Sequence, residues 1–319
     1  MAITNEVKKI LDYYESDNPG TKSNLARILM HGKLAGTGKM VILPVDQGFE
    51  HGPVCSFASN PHGYDPHYHY KLAIDAGLNA YAAPLGMLEA GAYSFAGAIP
   101  TILKVNSSNS LARDKKSPSQ AITGSVNDAL RLGCSAIGFT IYPGSDSQFE
   151  MMGQMREIAE EAKAVGLAVV IWSYPRGGDL SKESETAIDI SSYAAHIAAL
   201  AGAHIIKIKP PKAAILREPE RKLYEKNNIP ISTLSDRVRH LMQSSFNGRR
   251  IVLFSGGDAK GVEGLMEEIH SLYKGGANGS IIGRNTFQRS RDEAMLMLDQ
   301  IINIYKGNSI KYLCQQKST

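Results

Sequence analysis

A (β/α)8 barrel of the TIM type is the architecture this sequence predicts, and three features of the chain predict it. Short β-branched apolar runs recur eight times along the chain. Each is followed by a longer stretch with the spacing of an amphipathic helix. The Gly-x-Gly-x-x-Gly turn that opens a typical doubly wound sheet is missing after the first run, and eight alternating units close most naturally on themselves.

The elements follow in order. Residues 1–39 read as a helical extension ahead of the first strand, MVILPVD (40–46). NAYAAP (79–84), PTILKV (100–105) and SAIGFTIY (135–142) are the next three strands, and LAVVIWSY (167–174) is the fifth. AHIIKIK (203–209), RIVLFSG (250–256) and GSIIGR (279–284) complete the set. Helical periodicity fills 66–76, 87–95, 118–132, 147–165, 186–201, 233–246, 259–274 and 286–305. Ser117-Pro118 is a helix-start signal, and Gly133, Gly166 and Gly202 are stop signals. No Pro/Ser-rich linker divides the chain, so one domain over 1–319 is expected, with 306–319 as a polar tail.

Composition narrows the function. With 43% hydrophobic and 21% charged residues in 319, the chain has the make-up of a globular protein with a large core. Its formal charge is only +4 and the two signs alternate, which speaks against a nucleic-acid partner. No window approaches the ~18 apolar residues of a membrane span, and the N-terminus lacks an apolar signal-peptide segment. Cys55, Cys134 and Cys314 lie far apart without ligand spacing, as expected for reduced thiols in a cytoplasmic protein.

In such a barrel the chemistry sits at the C-terminal ends of the strands. The first strand brings Asp46, Glu50 and His51 to that rim, and the fifth brings Trp172, Tyr174 and Arg176. The sixth holds two lysines in an apolar run, Lys207 and Lys209. Side chains alternate along a strand, so these two share a face while Ile206 and Ile208 suit the helix-facing side. An ordinary lysine is uncharged in only about one molecule in a few thousand at pH 7. Desolvation and a neighbouring ammonium both favour the free amine, which can attack a carbonyl and form a Schiff base. An ion pair with Asp46 or a snorkelling stem is the other use of such a lysine, and it suits Lys209 better than Lys207. Lys104 on the third strand is a further candidate amine.

Glycine-rich turns after the last two strands form a phosphate cradle: Ser255, Gly256 and Gly257 in SGGD, then Gly283 and Arg284 in GRN. Arg176 is placed to hold a second phosphate. Tyr174 is a candidate general acid/base, its pKa expected to be lowered by ammonium neighbours, and Asp46 a candidate proton carrier. His62, His67 and His69, with His51, match no standard zinc spacing, so no metal is assigned and no cofactor is required.

The run VDQGFEHGP, then WSYPRGG, AHIIKIK, SGGD and GRNTFQR, resembles the archaeal-type class I fructose-bisphosphate aldolases over about residues 40–305. The resemblance implies that Lys207 forms the Schiff base and that Tyr174 is the acid/base, with Asp46 as the aspartate after the first strand. It places Ser255, Gly256, Gly257, Gly283 and Arg284 at the phosphate site, and Trp172, Arg176 and His51 around the substrate. It also implies a homo-oligomer acting on a phosphorylated sugar. Two departures stand out: Gln47 replaces the usual histidine after the aspartate, and the segment 210–249 is longer than the archaeal version. Another lysine-dependent enzyme of the same family, a zinc-dependent aldolase and a non-catalytic phosphosugar-binding barrel are the alternatives.

Overall fold

The structure is a computed structural model that describes residues 2–111, 117–256 and 261–308. Eight parallel strands close into a barrel, and they fall where the apolar runs predict. They are β1 (Met40–Pro44), β2 (Ala80–Pro84), β3 (Thr101–Lys104) and β4 (Ala136–Ile141). The second half comprises β5 (Ala168–Ser173), β6 (Ile205–Ile208), β7 (Ile251–Ser255) and β8 (Gly279–Ile281). Each strand pairs with its sequence neighbours, and β8 returns to β1 through Ile42 opposite Ile281.

Alternation along the strands divides the core in two. Ile206, Ile208, Val169, Ile171, Val252 and Phe254 face outward into the layer beneath the helices. Ile42, Ala82, Ile102, Val170, Ile205 and Leu253 point into the barrel. The extension supplies the bottom of that inner cluster. Helices Asn5–Asp12 and Pro19–Leu29 send Val7, Leu11, Leu25, Ile28 and Leu29 against the barrel's N-terminal end. Tyr14 locks them there, donating to the His204 carbonyl at 2.6 Å and accepting from the Ile251 N–H at 3.2 Å. His204 adds a second tie. Its Nδ1 accepts from the Val169 N–H at 2.8 Å, so the proton lies on Nε2, which faces the Asp17 carboxylate at 2.8 Å.

Three sequence expectations are corrected. The helix expected over 118–132 covers only Val126–Arg131. The true start is Ser125, whose side chain and Asp128 form a reciprocal capping box, and not Ser117-Pro118. Ala121–Ile122 instead pairs with Asn106–Ser107 as a short antiparallel ribbon over the mouth. The stretch 286–305 breaks in two, Arg284–Phe287 and Arg291–Tyr305, because Ser290 and Glu293 cap the second helix. The long segment after β6 contains an unanticipated helix, Glu218–Lys226. Among the described residues no helix is long and apolar enough to cross a membrane. Cys55 and Cys134 are free; Cys314 and most of the 306–319 tail lie outside the described residues.

Candidate active site

Inward positions two residues apart carry the apolar interior up to a polar mouth. On β3, Lys104 follows Ile102; on β5, Trp172 and then Tyr174 follow Val170; on β6, Lys207 follows Ile205. Register brings them together, since Trp172 pairs with Lys207 and Lys104 with Gly138. The Trp172 indole is the floor. It lies flat enough over β4 that a Cβ on Gly138 would stand 2.2 Å from a ring carbon, which is why that strand position carries glycine. Lys207 Nζ sits 5.5 Å from the Trp172 ring centroid and 5.6 Å from that of Tyr174. Lys104 Nζ is 5.9 Å from the same indole.

These two amines differ in their partners. Lys104 points its ammonium at three oxygens: the Asn106 carbonyl, Asn106 Oδ1 at 3.0 Å and Gln120 Oε1 at 3.4 Å. Asn106 cannot flip, because its side chain completes a two-way bond with the main chain of Thr140. Lys207 makes no hydrogen bond or ion pair among the described residues. Burial lowers its pKa to about 8, Arg284 adds to that, and Asp46 and Glu50 act in the opposite sense. Burial also brings Lys104 to about 8, with Asp46 and Glu50 again opposing. One amine is therefore tethered as an ammonium, while the other is free to react.

Of the two uses left open for Lys209, a snorkelling stem or an ion pair with Asp46, the structure shows an ion pair with a different acid. Its Nζ meets Glu185 at 2.9 Å and lies 5.9 Å from the Tyr174 ring. Tyr174 also departs from expectation. Burial, with the Asp46 and Glu50 carboxylates, pushes its pKa well above the ordinary tyrosine value, and Arg176 only partly offsets this. The carboxylates outweigh the cations, so the phenol rests protonated. Asp46 is half-buried at the start of the short helix Gln47–His51 that follows β1, and its carboxylate acts on both buried lysines.

Glu50 has a larger part than its place in the sequence suggests. Its carboxylate takes Arg176 at 3.2 Å, and His51 stands 3.7 Å away. Arg176 reaches Tyr142 Oη at 3.4 Å and stacks 4.8 Å from that ring. Gln120 donates to the same phenol at 2.5 Å. Burial raises the Glu50 pKa, but Arg176, His51 and Lys104 together bring it below the usual range, so it stays ionised. Tyr142, Gln120 and Asn106 escape sequence reading because their roles depend on the ribbon over the mouth.

Ser255 ends β7, and Gly256 is joined to the turn after β8 by Asn285, which donates to its carbonyl at 3.1 Å. Gly283 leaves no room for a side chain: a Cβ would lie 2.8 Å from the Pro44 carbonyl. Gln47 sits beside it, its amide nitrogen 3.1 Å from that same point. Arg284 is exposed at this rim. Gly257 lies outside the described residues. The side chains of the histidine stretch make local contacts. His69 is buried against the Gly63 carbonyl at 2.8 Å, His67 meets the Ala90 carbonyl at 2.8 Å, and His62 stacks on Tyr68. Among the described residues no group of three or more His, Cys, Asp or Glu could hold a metal ion.

The chain as a whole resembles known proteins. The chain is 33% identical over 313 residues to the probable class 1 fructose-bisphosphate aldolase of Chlamydia muridarum, spanning 93% of this chain and 88% of that protein. It is 36% identical over 256 residues to the class 1 fructose-bisphosphate aldolase of Thermoproteus tenax, spanning 80% and 86%. Among solved structures, an archaeal fructose 1,6-bisphosphate aldolase superposes with a TM-score of 0.71 at 33% identity, covering 85% of this chain and 95% of that one. An archaeal aldolase with its catalytic lysine covalently bound to the carbinolamine intermediate gives 0.70 at 32% identity, covering 84% and 94%. The DeoC/LacD family aldolase profile matches residues 40–289, from β1 through the helix that follows β8. With that profile matched over residues 40–289 and relatives of 33% and 36% identity spanning most of its length, this chain belongs to the DeoC/LacD family of aldolases.

Proposed function

We propose that this chain is a metal-independent class I fructose-bisphosphate aldolase in which Lys207 is the Schiff-base residue. The observation that carries the reading is the contrast between the two buried amines. Lys104 is saturated by carbonyl oxygens, whereas Lys207 stands free between the Trp172 and Tyr174 rings.

The neutral Lys207 amine attacks the C2 carbonyl of fructose 1,6-bisphosphate to give a carbinolamine. Tyr174, which rests protonated, gives its proton to the departing hydroxyl; water leaves, and an iminium and a tyrosinate remain. The tyrosinate then takes the proton from the C4 hydroxyl. The C3–C4 bond breaks, its electron pair moves into the iminium, and glyceraldehyde 3-phosphate departs. The resulting enamine is protonated at C3 by Tyr174, and hydrolysis returns dihydroxyacetone phosphate and the free amine. A raised tyrosine pKa suits this sequence, because the first duty of the phenol is to donate. Asp46 balances the charge on Lys207 and helps carry the proton. Ser255, Gly256, Gly257, Gly283 and Arg284 anchor one phosphate and fix the carbonyl against the amine. Arg176 and His51, with Glu50 between them, take the distal end, and Trp172 packs under the sugar. The reading includes one domain over the whole chain, a homo-oligomer and a cytoplasmic setting.

Borohydride reduction in the presence of fructose 1,6-bisphosphate, followed by peptide mapping, tests the assignment. The expected result is one covalent adduct, on Lys207, that is absent from Lys207→Met. An adduct on Lys104, or none with full turnover, would overturn it.

A further inference from the structure

Because all eight barrel strands are parallel, the residues that precede them lie together at the end of the barrel opposite Lys207. A cavity of about 590 Å³ opens there, between the N-terminal helix and the turns leading into β1, β7 and β8. That volume is within the range of small-molecule sites. Lys9, Lys39 and Arg239 line it, with Glu6 the one carboxylate in the lining, together with Tyr13 and Asn247.

Lys39 is the telling residue. It is half-buried just before β1, donates to the Ala277 carbonyl at 2.7 Å and stands 5.7 Å from the Tyr273 ring. Among the described residues it has no ion pair. Burial disfavours its charge and Glu6 restores this only in part, so an anion in the cavity would be held in return. Arg239 lends a forked donor, engaged on one side by Asp236 at 2.9 Å. Two successive left-handed residues of the lining, Asn247 (φ 54°) and Gly248 (φ 79°), turn the chain along this part of the wall.

We propose that this cavity is a second ligand site, taking a small phosphorylated anion through Lys39, Lys9 and Arg239. It is separate from the phosphate cradle at the mouth, and it does not rest on the assignment of Lys207.

Calorimetric titration of the intact protein with inorganic pyrophosphate tests it. The expected result is two classes of site. Lys9→Gln with Arg239→Gln, both exposed side chains, should weaken one class by at least about tenfold and leave turnover of fructose 1,6-bisphosphate unchanged. Lys39→Met should weaken the same class, and Arg284→Gln only the other. A single class that Arg284→Gln removes and the remote substitutions leave untouched would overturn the proposal. So would two classes that are both indifferent to Lys9, Lys39 and Arg239.

Discussion

At the scale of the residue, two lysines in one small mouth have nearly the same acidity and opposite fates. Burial takes each to about 8, but Lys104 is committed to Asn106 and Gln120 while Lys207 is left without a protein partner. A pKa of about 8 leaves roughly one Lys207 in ten uncharged at pH 7, about two to three hundred times the fraction for an ordinary lysine. The sign of the pH dependence follows. Protonation removes the nucleophile, so kcat/KM should fall about tenfold per pH unit below about 8 and level off above it. Tyr174 adds no basic fall in the neutral range, because its proton is held well above the ordinary value. A profile of kcat/KM from pH 5 to 9 checks this; a rate indifferent to pH below 7 would contradict an amine nucleophile of this acidity. The free lysine was legible in the sequence, from an alternating strand with two cations on one face. The resting state of Tyr174 was not, because it depends on burial and on two carboxylates brought in from the segment after β1, Asp46 and Glu50.

At the scale of the element, β4 and β5 act as one unit, with glycine on the first making room for tryptophan on the second. Gly138→Ala would place a methyl 2.2 Å from the Trp172 ring, and backbone cannot move inside a closed barrel as a surface loop can. The expected cost is about 1–3 kcal/mol in stability, as for overpacking in cores. A fall in kcat should accompany it, since the displaced indole carries both lysines. Chemical denaturation and steady-state kinetics together check this; a variant of native stability and native kcat would mean the indole shifts freely. The strands themselves were readable because β-branched runs and a two-residue period are local signals. The ribbon of Asn106–Ser107 with Ala121–Ile122 was not, since two-residue strands carry almost no pattern and their pairing is set by what lies across the mouth. The roles of Tyr142 and Gln120 are hidden from the sequence for the same reason. The glycine-rich turns after β7 and β8 stand out in the sequence, but the Asn285 bond from one to the Gly256 carbonyl of the other needed the fold.

At the scale of the whole molecule, the barrel holds Lys207 in place against its own preference. The cost has a definite pH window. In the folded chain the lysine titrates near 8, and in the unfolded chain near 10.5. The penalty is complete below about 8, shrinks as pH rises between the two values, and vanishes above the higher one. Its size at pH 7 is roughly 3 kcal/mol. Lys207→Met should therefore be inactive and yet more stable than the native chain at pH 7, with the gain fading toward pH 10. Lys104→Met should gain much less, because it strands the Asn106 and Gln120 oxygens that now hold the ammonium. Thermal unfolding of the three proteins at about pH 7, 8.5 and 10 separates these outcomes. A Lys207→Met chain that melts below the native one at pH 7 would show that the amine sits in its site without electrostatic strain, and the free nucleophile would then need another source. Stability surrendered at one inward position of β6, and nowhere along its isoleucines, is what a reactive amine in a dry barrel requires.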